Sequence, residues 1–187
     1  MKPQQRIMHA VMELIAERGL SGITMSDLAN TATVSRQTLY NYYSDVDSAV
    51  AAALGEHNEV ALAQLDTSLS LCITPEDRMG QLVRHFAALG AHGHGQPLER
   101  GLSASTQRHL ASHDQAVGVR IQTAIGKGIE SGTFRPDITA SDMTLVHSLL
   151  RGVQEATSTS PTDAAAIVDS STRTTLAALY KRAPGTD

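Results

Sequence analysis

The chain has 187 residues, 41% of them hydrophobic, enough for a real core and at most two small domains. Its formal net charge is -4, and as far as Val50 four basic residues (Lys2, Arg6, Arg18, Arg36) stand against five acidic ones, so no bulk basic field advertises a nucleic-acid partner. A lone cysteine, Cys72, excludes an internal disulfide and fits a reducing compartment. No segment is apolar for long enough to span a bilayer, and Glu13, Glu17 and Arg18 interrupt the first apolar stretch, which therefore lacks the layout of a signal peptide. The expectation is a cytoplasmic protein with no membrane partner.

Helical periodicity runs through nearly the whole chain, with no convincing alternation of the strand type. Ile7, Val11, Leu14 and Ile15 mark a first helix that Gly19 ends. Thr24 reads as the N-cap of a second, with Asp27 completing a variant capping box. Ser35 caps a third, and Val34 and Leu39 occupy the positions of a hydrophobic staple. A long helix follows from Asp45 to Leu69, a break at Leu71 to Thr74, and a strong helix start at Thr74-Pro75-Glu76-Asp77. Gly90 to Gln96 reads as loop. Further helices hold Leu110 to Ile129, stopping at Gly132; Met143 to Val153, after a capping box at Thr139 and Asp142; and Ile167 to Tyr180, before a frayed tail from Ala183. The fold class is all-α: a three-helix head followed by a larger helical body.

The short distance from Thr24 to Ser35 suits a helix-turn-helix, and equally a corner in any helical bundle. Residue identity separates the two. Ala16-Glu17-Arg18-Gly19, Thr24-Met25-Ser26-Asp27-Leu28-Ala29 and Val34-Ser35-Arg36-Gln37-Thr38-Leu39-Tyr40-Asn41-Tyr42-Tyr43 follow one another without a gap, and the stretch from Ile7 to Leu54 resembles the N-terminal domain of the tetracycline-repressor (TetR) family of bacterial regulators. A second resemblance runs from Gly128 through Phe134, Arg135 and Pro136 to Ile138, similar to the segment that joins the last two body helices to the rest in that family. Two departures stand out. Thr33 replaces the glycine usual in the turn, at a strain of about 1 kcal/mol if the left-handed backbone is kept. Val46, between Asp45 and Asp47, replaces a lysine that would meet a phosphate.

The resemblance implies a DNA-binding head over residues 1–46 and an effector-binding and dimerisation domain over 47–187. Arg36 and Gln37 are candidates for base edges, as arginine can fork onto guanine and glutamine onto adenine; Thr38 offers a methyl to thymine. Thr24, Ser26, Ser35, Tyr40, Asn41 and Tyr42 are candidates for phosphates or flanking bases. The alternative for each polar residue is simple solvation. Lys2, Arg6 and Arg36 are the plausible groove or phosphate cations, with Arg18 too far back. The resemblance further implies double-stranded DNA with an inverted-repeat operator, a homodimer through the last two helices, and a small-molecule effector, with release of a repressor from its operator as the expected switch. Met79, Phe86, Leu110, His113, Val117 and His147 are candidate pocket residues, all equally readable as core.

Two other readings stay open. Eight histidines, including His92 with His94 and His109 with His113, invite a metal-responsive regulator of the same fold, yet no third ligand stands at fixed spacing and none is assigned. A helical adaptor that reads proteins instead of DNA would also suit the acidic head. No GxSxG, P-loop, HExxH or dinucleotide fingerprint occurs, so neither an enzyme nor a cofactor is expected.

Overall fold

The computed structural model describes residues 1–19, 22–90 and 103–180. Among these the regular structure is helical apart from one isolated antiparallel bridge: α1 (Pro3–Arg18), α2 (Met25–Thr31), α3 (Arg36–Tyr42), α4 (Val46–Ser70), α5 (Pro75–Leu89), α6 (Ala104–Glu130), α7 (Ala140–Thr159) and α8 (Ala164–Leu179), with a 3-10 turn at Pro161–Asp163. The expected loop from residue 91, with His92 and His94, and the tail from Ala183 lie outside the described residues. The chain divides into two compact units, Met1–Leu62 with Gln96–Asp114, and Ala63–Gly95 with Gln115–Asp187.

The first unit is built on the apolar stripe of α1. Ile7, Val11, Leu14 and Ile15 are buried together with Leu28 and Ala29 of α2, Leu39 of α3, Tyr43, and Ala49, Val50, Ala53 and Leu54 of α4. The start of α4 therefore belongs to the core of the head. Ser35 caps α3, its Oγ accepting from the Thr38 amide at 3.0 Å, and the half-buried Val34 packs against the core as a staple residue should. Between α2 and α3, Thr33 has φ 53 and is the one non-glycine residue with positive φ among those described. The left-handed turn usual for glycine is thus kept with a β-branched residue in it. The Thr33 amide donates to the Asn30 carbonyl at 3.0 Å and the Val34 amide to the Ala29 carbonyl at 2.9 Å. Arg6 reaches back from α1 so that its Nη1 donates to the Thr33 carbonyl at 3.1 Å.

In the second unit α5, α7 and α8 pack on one another. Gly90, just past α5, sits so near α7 that a Cβ there would lie 2.2 Å from the Gln154 carbonyl oxygen. Beside it the buried Thr157 hydroxyl lies 3.1 Å from the Ala87 carbonyl and 2.9 Å from that of Val153. At the end of α6 the chain turns through Gly132 (φ 75), and the wholly buried Phe134 folds back over Gly128, where a Cβ would lie 2.0 Å from the ring. The Phe134 amide donates to the Gly128 carbonyl and the Arg135 amide to that of Leu179, both at 2.9 Å. Phe134 and Tyr180 form the antiparallel bridge. Tyr180, expected on the last helix, is instead extended (φ -67, ψ 153): α8 ends at Leu179 because residue 180 pairs with the 134 segment. Arg135 fastens the corner, pairing with Asp142 at the start of α7 at 3.0 Å and donating from Nε to the Ala178 carbonyl at 3.2 Å.

Four helix starts use an aspartate. Asp27, Asp77 and Asp142 each complete a capping box with the threonine three residues earlier, and Asp45 accepts from the Ser48 amide at 2.7 Å at the start of α4. Hydrogen bonds from Thr24 hold the Asp27 carboxyl below the usual aspartate range, helped by Arg18; those from Ser48 and Ser44 do the same for Asp45, and those from Thr139 for Asp142.

These groups favour the folded state as carboxylates. With folded pKa values below the unfolded ones, their contribution is full above the unfolded range and is lost as pH falls from about 5 through the lowered values. Chemical denaturation at stepped pH should show stability declining across that window, with a shallower decline in Asp27→Asn. Backbone strain gives a second expectation: Thr33→Gly should raise stability by about 1 kcal/mol, or about 2–4 °C in Tm. A third comes from two glycines on one helix. Gly126→Ala, with nothing within 4 Å of the new Cβ, should stabilise α6 by about 0.5–1 kcal/mol, whereas Gly128→Ala should cost about 1–3 kcal/mol by displacing Phe134. Equal effects at the two sites would refute the packing role of Gly128.

Candidate nucleic-acid interface

Seven residues make α3, and its two faces differ sharply. Leu39 is fully buried and Tyr43, just beyond the end, is nearly so. Arg36, Gln37, Tyr40 and Asn41 are all exposed, at the i, i+1, i+4 and i+5 positions of one outward face. Tyr40 and Tyr42 leave 53% and 45% of their surface in water, an unusual expense of apolar area for a short helix.

The polar side chains on this face are already ordered. Arg36 donates through Nη2 to the Ser26 hydroxyl of α2, and Gln37 donates through Nε2 to Asn41 Oδ1 at 3.1 Å. The Ser35 and Thr38 hydroxyls lie 2.8 Å apart. The Thr24 hydroxyl donates to Asp27 Oδ2 at 2.7 Å and accepts the Asp27 amide at 3.2 Å, so its capping role uses its proton. The structure thus brings Ser26 to Arg36 and Asn41 to Gln37, and leaves Tyr40 and Tyr42 outward-facing. Sequence reading placed Ser26 and Asn41 as independent contacts and missed both pairings. Arg6, a candidate cation of the head, donates to the Thr33 carbonyl. The separation of 27 positions between Arg6 and Thr33 hides that bond from any local pattern.

Two of the five acids of the head are engaged too. Asp27 pairs with Arg18 at 3.2 Å besides capping α2, and Asp45 caps α4. Neither stands as a bare carboxylate on the face of α3.

Of the six pocket candidates, Met79, Phe86 and Val117 are buried in the second unit, and the half-buried His147 lies there too. The Phe86 and His147 rings meet edge to face with centroids 6.0 Å apart. Leu110 and His113 fall in the first unit. Among the described residues no three His, Cys, Asp or Glu side chains gather as a metal site, and no helix is long and apolar enough to cross a membrane.

Comparison with known proteins agrees with this geometry. Residues 7–53 match the bacterial regulatory proteins of the tetR family, the span over which the core of the head was traced. No curated protein sequence matches the chain. Among solved structures it is similar to the fatty acid degradation regulator FadR from Bacillus halodurans (17% identity, TM-score 0.83, covering 97% of this chain and 98% of that one). It is also similar to NemR of E. coli in its reduced form (16%, 0.81, covering 97% and 100%). A third is FadR from Bacillus subtilis in complex with stearoyl-CoA (17%, 0.78, covering 94% and 99%). At such identities these likenesses establish the fold. Residues 7–53 thus match the tetR family of bacterial regulatory proteins, and the chain shares the fold of these solved structures.

Proposed function

We propose that this protein is a sequence-specific DNA-binding transcriptional repressor, homodimeric, cytoplasmic and released from an inverted-repeat operator by a small-molecule effector. The observation that carries the reading is the outward face of α3, where Arg36 and Gln37 are held by Ser26 and Asn41 above a fully buried Leu39. Groups that read base edges gain from being ordered beforehand, because less side-chain entropy is lost on binding. Residues 1–46, with the start of α4 completing their core, act as the reading head, and the rest of 47–187 as the regulatory and dimerising part.

Dimerisation through α7 and α8 is supported by what those helices leave in water. Leu145 is 68% exposed on α7, near the bare backbone of Gly152, and Ala165, Ala166, Ala177 and Ala178 are exposed on α8. Small residues of this kind let helices of two protomers approach closely. Effector binding is supported by the fold itself, since the Bacillus subtilis protein of this shape was crystallised with stearoyl-CoA. Phe86 and His147 remain the pocket candidates that meet one another.

Selection from random DNA should return inverted repeats; direct repeats alone, or no preference, would overturn the proposal. Arg36→Ala and Gln37→Ala should each relax one position per half-site, at about 1–3 kcal/mol. Ser26→Ala should relax the same position as Arg36→Ala, not weaken all sequences evenly as loss of a phosphate contact would. A bond to the Thr33 carbonyl fixes Arg6 without cancelling its charge, so Lys2, Arg6 and Arg36 are the candidate cations, six per dimer. The slope of log affinity against log salt should then be about −5. A much steeper slope would mean that other cations reach the DNA.

A further inference from the structure

The second unit holds a half-open cavity of about 450 Å³ between the end of α4, the start of α5 and the second half of α6. Its size falls within the range of about 300–1,000 Å³ usual for small-molecule sites. None of the six pocket candidates lines it, so it is a separate feature of the fold. The apolar part of its lining comes from Leu69, Val119 and Ala124, and Val119 leaves 54% of its surface in water.

The charged part of the lining is unbalanced. Arg120 is matched by Asp66 in a bidentate pair, Nε to Oδ1 at 2.7 Å and Nη2 to Oδ2 at 2.5 Å. The Arg120 guanidinium therefore neutralises the cavity's one carboxylate, whose pKa it lowers. Arg78 donates to two backbone carbonyls, Leu69 and Cys72, each at 2.9 Å. Carbonyls fix its position without cancelling its charge. Lys127 is exposed, and no carboxylate pairs with it among the described residues. Two net positive charges thus border an apolar wall. An apolar ligand would leave both unmatched, and a bare inorganic anion would leave the wall wet.

We propose that this cavity binds a small amphiphilic anion, its head group between Lys127 and Arg78 and its hydrocarbon against Leu69, Val119 and Ala124. The proposal does not depend on the DNA-binding reading, and its test contains no DNA. The full chain, methyl-labelled at Leu, Val and Ala, is titrated with octanoate and followed by NMR, with 1-octanol and acetate as comparators. Octanoate should shift the methyl signals of Leu69, Val119 and Ala124 saturably, and octanol and acetate should do so far more weakly. Lys127→Gln should weaken octanoate binding by about fivefold, the size of an exposed charge pair. Val119→Glu, at an exposed position, should weaken it further by placing an anion at the wall. Signals that stay still at millimolar octanoate would overturn the proposal. So would equal shifts with octanol or acetate, or unchanged affinity in both variants.

Discussion

The reading head depends on one backbone residue in a conformation it does not favour. Helices α2 and α3 can cross over a shared core only if the chain reverses within Ala32–Val34, and the reversal places Thr33 at φ 53. A β-branched residue there resists, and the fold restrains it from three sides. Its amide donates to Asn30, its successor's amide to Ala29, and its carbonyl accepts from Arg6 on α1. Leu28, Ala29 and Leu39 then bury against α1, which fixes how far α3 stands out. The outward position of Arg36 and Gln37 is a consequence of that turn and of the staple at Val34.

The second unit uses a different device for a related end. Where α5 meets α7, and where the segment after α6 returns over its own helix, backbone approaches backbone or ring too closely for any side chain, at Gly90 and Gly128. Close approach lets buried hydroxyl and amide groups find partners in the neighbouring element, as Thr157 does with Ala87 and Arg135 with Leu179. Such corners are stiff, since a packed interior has no slack to absorb a displaced ring.

Most of the fold was legible in the sequence because its signals are local. Capping boxes at Thr24 and Thr139 and the Thr74-Pro75 start placed three helix starts, and Gly19 and Gly132 marked two ends. The family resemblance of the head was legible for the same reason, running without a gap from Ala16 to Tyr43. What escaped were interactions between residues far apart in the chain. Nothing near Tyr180 announces that it will pair with Phe134, and nothing near Arg6 announces Thr33. The Ser26 to Arg36 bond spans a turn whose geometry has to be known first. The cavity residues Asp66 and Arg120 are 54 positions apart, and each reads alone as an ordinary surface charge.

The acidic composition of the head looks at first like an argument against DNA. Counting charges treats every carboxylate as free to repel a phosphate, and the structure removes that premise for two of the five, Asp47 remaining exposed. Asp27 is enclosed by the amide and hydroxyl of Thr24 and by Arg18, and Asp45 by the serines that start α4. Carboxylates held in this way sit against the positive ends of helices, where the helix dipole offsets part of their charge. Their fields fall off quickly at physiological salt, over about 8 Å. Arg36, by contrast, is exposed and tied to a neutral hydroxyl, so its charge is displayed whole. A head of this kind cannot hold DNA by bulk attraction. On the DNA-binding reading proposed above, its affinity has to come from hydrogen bonds and fit at the groove, contributions that fail at a wrong sequence, and so its weak electrostatics favour discrimination over grip.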